Sequence, residues 1–183
     1  MPSDSLDVQA LVQNCRYIIR ERFFTISNSF KIKDELGRDK YNVRSKKLAL
    51  GRKLIFEDMN GTVLLKIHRK GFHLLDQISI LSAGDNELNQ QVATIRQKFT
   101  FFKHSYKIYS IYGEYKLKGL NIFDQAFILK AKDGETIATA NKKIFAMANI
   151  YQVEIMDSNN DKKQDHPFIL ALIIALHCSI YSP

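Results

Sequence analysis

The chain has 183 residues, 45% of them hydrophobic, with a formal net charge of +8 and a pI near 9.4. That hydrophobic content excludes a disordered chain, and the length suits one domain burying about 70% of its unfolded surface. Two cysteines, Cys15 and Cys178, exclude a disulfide framework and a cysteine metal cluster and fit a reducing compartment.

Met1 to Arg16 reads as a polar lead-in, ordered only in part. It has acids and no apolar core of its own, so no secretory signal is expected. A single domain is expected from Tyr17 to Pro183. A strand pattern begins at Tyr17 and runs through Ile19 towards Phe23, Phe24 and Ile26. Phe30 and Ile32 then alternate with Lys31 and Lys33, the period of a half-buried strand. Asp34-Glu-Leu-Gly37 is a turn, because Asp caps its own backbone and Gly takes positive φ. Tyr41 and Val43 return on the next strand, which makes a hairpin. The unit recurs with Leu54 and Phe56, the turn Asp58-Met-Asn-Gly61, then Val63, Leu65 and Ile67. It recurs again with Phe127 and Leu129, the turn Lys132-Asp-Gly134, then Ile137 and Thr139. Val92 to Ile95, Phe99 to Lys103, Tyr106 to Ile111 and Tyr151 to Ile155 read as further strands, and Asp85 to Gln91 as a polar loop. Two rough halves result, Tyr17 to Leu81 and Val92 to Met156.

The last stretch differs. Phe168 to Leu176 carries no polar side chain on any face, so it must be enclosed on all sides. Asp165 is a candidate N-cap and Pro167 lies in the first turn. From Phe168 to Tyr181 a helix measures roughly 21 Å, short of the about 20 apolar residues that span a bilayer. No transmembrane span is expected. Many antiparallel strands favour closure, which removes exposed edges. A half-buried sheet face and an all-apolar helix then bury each other. The expected fold class is all-β with one helix: a closed antiparallel β-barrel around a buried hydrophobic C-terminal α-helix.

Several stretches together resemble the LURP-one-related family. They are Tyr17-Ile-Ile-Arg-Glu-Arg-Phe-Phe-Thr-Ile-Ser, Phe30-Lys-Ile-Lys-Asp-Glu-Leu-Gly37, Tyr41-Asn-Val-Arg44, Leu50-Gly-Arg-Lys53 and Asp58-Met-Asn-Gly61. Ile95-Arg-Gln-Lys98, Asp133-Gly134, Ala138, Lys143 and the apolar C-terminal stretch resemble its second half. The family belongs to the Tubby C-terminal-like superfamily, with phospholipid scramblases as relatives. The resemblance implies a barrel of roughly twelve strands around a central helix.

Motifs of catalysis are missing from the sequence: no phosphate loop, no Gly-x-Ser-x-Gly, no His-Glu-x-x-His. A non-enzyme without a cofactor is expected. His68 and His73 lie five apart with no further ligand beside them, which does not make a metal site. His177 is expected to be a satisfied core or rim histidine, and Cys178 a small buried hydrophobe. Asp157, Asn159 and Asp161 match the start of a calcium loop. Lys162, however, stands where the turn Gly belongs and Phe168 where the bidentate Glu belongs. An Asx-rich connecting turn is expected there. Calcium stays open because scramblase relatives have a proposed calcium segment just before their final helix.

The basic residues give the main lead. Arg44, Lys46, Lys47, Arg52 and Lys53 fall close together, and Lys66, Arg69 and Lys70 follow on the next return strand. Alternation sets several on one outer face, where they would hold multivalent phosphates through charge-assisted hydrogen bonds. The plain alternative is a solvated strand face. Phe72 and Leu74, beside this cluster, are candidates for shallow insertion at an interface. The expected function is a non-catalytic binding or regulatory module engaging anionic phospholipid, such as phosphoinositide, at a membrane surface. Its expected location is cytoplasmic, peripheral to a membrane at most. The alternatives are scramblase-like lipid transfer, or a scaffold acting through protein or nucleic-acid contacts. For nucleic acid the candidate platform is Phe99-Thr-Phe-Phe-Lys-His-Ser-Tyr106.

Overall fold

The computed structural model describes residues 14–22, 29–48, 51–69, 77–83, 90–98, 105–120, 125–145, 148–156 and 165–181. In chain order they form β1 Cys15–Arg22, β2 Ser29–Asp34, β3 Asp39–Leu48, β4 Gly51–Asp58, β5 Val63–Arg69 and β6 Gln77–Ser82. The second half adds β7 Gln91–Lys98, β8 Ser105–Ser110, β9 Gly113–Gly119, β10 Ala126–Ala131, β11 Thr136–Phe145, β12 Ala148–Ile155 and the helix α1 His166–Tyr181. Each strand pairs antiparallel with its sequence neighbours, and β1 pairs with β12 to close the barrel.

Three tight turns share one construction at one end of the barrel, here called the near end. Asp34 Oδ1 accepts the backbone N–H of Leu36 at 3.0 Å and of Arg38 at 2.9 Å, and Gly37 sits at φ 76°. Asp58 Oδ1 does the same for Asn60 and Thr62, with Gly61 at φ 84°. Asp133 Oδ1 accepts from Glu135, with Gly134 at φ 99°. A register shift precedes each, at Ile32/Lys33, Phe56/Glu57 and Leu129/Lys130. A left-handed glycine and a bulge together let a short turn follow the sheet twist.

Strand alternation sends Phe30, Ile32, Val43, Leu54, Phe56 and their counterparts inward, where they meet α1. Phe168 to Leu176 is buried on every face, as an apolar surface without a polar stripe requires. Asp165 caps the helix: its Oδ1 accepts the Phe168 N–H at 3.1 Å. The wall holds the same cap, with the Tyr112 hydroxyl donating to Asp165 Oδ2 at 2.9 Å and the Tyr17 hydroxyl 2.8 Å from His166 Nδ1. The helix has no basic residue in its last turn; instead Arg69 of β5 donates to the Cys178 carbonyl at 3.1 Å. The barrel therefore supplies a cation where the helix dipole is negative. None of the described helices is long and apolar enough to cross a membrane.

The strand expectations need three corrections, the first being β6, Gln77–Ser82, which no expected strand covered. β1 takes in Cys15 and Arg16, assigned from sequence to the lead-in, because they pair with Ile155 and Glu154 of β12. β9 was not read as a strand, although Tyr115 and Leu117 alternate with Lys116 and Lys118 and pair on both sides. The strand expected at Phe99 to Lys103 lies outside the described residues.

Candidate functional site

The outer face of β3, β4 and β5 carries a row of basic side chains. Lys46 stands directly opposite Lys53, and Lys53 directly opposite His68. Lys66 lies two residues before His68 on β5, opposite Ile55. Ile55 points outward yet is only 4% exposed, so the face has an apolar floor beneath its charges. Facing residues on adjacent strands have Cβ atoms about 4.5–5.5 Å apart, and like charges so placed repel. Among the described residues neither Lys46 nor Lys53 has a carboxylate partner. Burial first, then the charges of Lys66 and Lys46, lowers the Lys53 ammonium below its ordinary pKa. Burial, then Lys53 and Lys66, lowers His68 in the same sense. The Nε2 atom of His68 is buried without a hydrogen-bond partner. Among the described residues the facing ammoniums of Lys46 and Lys53 are therefore left without a neutralising carboxylate.

The other sequence candidates are dispersed. Arg44 is held by Glu57 at 2.5 Å, an ion pair that raises its pKa. Arg69 turns inward to the end of α1. Lys47 and Arg52 share a register row with Arg69. Lys70, Asp157, Asn159 and Asp161 lie outside the described residues, as do Phe72 and Leu74. No cluster of metal-ligating side chains occurs among the described residues.

The chain matches the LURP-one-related family over residues 16–177, from the second residue of β1 to His177 in α1. The chain belongs to the LURP-one-related family. The X-ray structure of a protein from Arabidopsis thaliana is similar to it, with a TM-score of 0.65, 14% identity and 91% of each chain covered. At that identity the likeness concerns the fold alone, a closed twelve-strand barrel with one C-terminal helix. No curated protein sequence matches the chain.

This LURP-one-related barrel has two further features that sequence reasoning missed. Arg96, Lys107, Lys116 and Lys130 face one another in one row across β7, β8, β9 and β10. Each of them alternates with inward residues, so period two was legible, but alignment of four separate strands was not. The second feature is internal. His177, 2% exposed, lies with Nε2 3.2 Å from Glu21 Oε2 and Nδ1 2.9 Å from the Tyr151 hydroxyl. Asn149 Nδ2 donates to Glu21 at 2.7 Å, and the Lys142 ammonium lies 5.9 Å from the Tyr151 ring centre. Burial pushes the Glu21 carboxyl up, but the hydrogen bonds of His177 and Asn149 and the charges of His177 and Lys142 together bring it below its usual value. This cluster is satisfied and enclosed, and it anchors the end of α1 to the wall.

Proposed function

We propose that the protein is a non-catalytic module that binds anionic phospholipid head groups at a membrane surface. The observation that carries this reading is the facing pair Lys46 and Lys53, neither with a carboxylate partner among the described residues, with Lys66 and the imidazole of His68 beside it. Facing like charges cost stability, and multivalent phosphate is the chemistry that would repay it through charge-assisted hydrogen bonds. Membership of the family and the barrel fold support a lipid-binding module of the Tubby-like kind. Phosphoinositide is the ligand that best suits several lysines on one face. Scrambling is the less favoured reading, because α1 is walled in by strands and short for a bilayer.

Sedimentation with vesicles tests the proposal. Vesicles containing phosphoinositide should retain the protein and neutral vesicles should not. Lys46→Ala with Lys53→Ala should weaken retention by about thirtyfold, taking about 1 kcal/mol for each lysine near an anionic surface. Equal retention by neutral and anionic vesicles would remove recognition of anionic head groups, and retention by neither would remove lipid binding, as the function.

A further inference from the structure

Among the described residues the carboxylates of this barrel are sorted by end, whereas basic residues such as Lys33, Lys40 and Lys132 occur at the near end as well. Among the described residues the carboxylates Asp34, Glu35, Asp58, Asp133, Glu135 and Asp165 sit in or beside the near-end turns and the start of α1. Asp39, Glu57, Glu114 and Glu154 lie within two residues of near-end strand termini. The remaining described carboxylate, Glu21, is buried against His177 at the other end. That far end, where α1 finishes, is rimmed by cations from all around the wall. Arg20, Lys46, Lys53, Lys98, Lys118 and Lys143 each lie within two residues of a far-end strand terminus. Five of these are exposed and Lys53 is partly so. None has a carboxylate partner among the described residues.

We infer that the barrel meets an anionic bilayer end-on, with the far rim against the head groups and the start of α1 pointing away. The inference rests on the lipid reading above and specifies which surface of the molecule makes the contact. A patch confined to β3–β5 would press the barrel's side to the membrane and leave Lys98 and Lys118, several strands away, with no role. Docking by the rim uses both sets at once and directs the acidic end to solvent, where a negatively charged surface does not repel it. The ring form also favours a bilayer over a nucleic-acid strand, which follows a line of cations and stacks on exposed aromatic rings.

Three double variants of equal net charge decide the orientation: Lys46→Glu with Lys53→Glu, Lys98→Glu with Lys118→Glu, and Lys40→Glu with Lys132→Glu at the near end. Each is compared with the parent on phosphoinositide vesicles, after circular dichroism shows the barrel folded. Both far-end pairs should weaken binding by about tenfold or more, and the near-end pair by about twofold at most. Glutamine at the same positions should give the same order with smaller amplitude if a reversal disturbs folding. Loss confined to the Lys46 and Lys53 pair would overturn end-on docking while leaving lipid binding intact. Equal loss in all three pairs would also overturn it, since net charge alone would then decide. A parent that ignores vesicles but binds a single-stranded oligonucleotide would overturn both readings.

Discussion

Lys53 illustrates how a single residue can stand at a cost to stability. It faces Lys46 on one side and His68 on the other, and its ammonium is held below its ordinary pKa by burial and by Lys66 and Lys46. Lys53→Thr removes the repulsion and keeps a strand-favouring side chain. The expected outcome is a gain of about 0.5 kcal/mol, seen as a raised Tm, together with weaker vesicle binding. Glu21 is the opposite case, a buried charge that stability does need. Its folded pKa lies below the ordinary 4.5, through its bonds from His177 and Asn149 against the upward push of burial. Its contribution is therefore complete above the unfolded value and is lost as pH falls through the folded one. Glu21→Gln should cost on the order of 1–3 kcal/mol at pH 7. That difference should shrink as pH drops below about 4.5, which urea melts across pH will show. The cations of the patch could be picked from sequence because they cluster in number. His177 was read as a satisfied core or rim histidine, but its pairing with Glu21 could not be read, the two being more than 150 positions apart and joined only by the fold.

At the scale of the element, α1 was the most legible part of the chain. An apolar run with Asp165 before it and Pro167 inside the first turn allows one solution, a capped helix enclosed on all sides. Leu170, fully buried, should cost about 2–5 kcal/mol as Leu170→Ala in a denaturant melt. Leu172→Asp, which places a charge in the core, should abolish folding, seen as loss of the strand signal by circular dichroism. The Asp and Gly turns were equally legible, since their side chains make the turn through bonds within a few residues. At Gly61, where an added Cβ would meet nothing within 4 Å, Gly61→Ala should cost about 1–2 kcal/mol from its positive φ alone. β9 was hidden for the converse reason. Its outward lysines dilute the apolar signal, and only pairing with β8 and β10 fixes it as a strand.

At the scale of the whole molecule, the polarity of charge matters more than the net +8. Binding to anionic vesicles should fall steeply as salt rises through about 0.15 M, where the screening length is about 8 Å, as a titration of retention against salt will show. The amino-acid sequence by itself determined the class of fold, because alternation, turn chemistry and an all-apolar helix are local patterns with few ways to be buried together. It also determined that the surface is basic. Only the tertiary structure decided which strands are neighbours. Closure joins β1 to β12 across more than 130 residues of chain, and register places Lys46 against Lys53 and Arg96 against Lys107. Arg69 went inward to the helix end instead of outward with the patch. Those outcomes depend on distances between segments far apart in sequence, which a local pattern does not encode. The gathering of the described carboxylates at one rim, which leaves the other rim basic, follows from the same pairing.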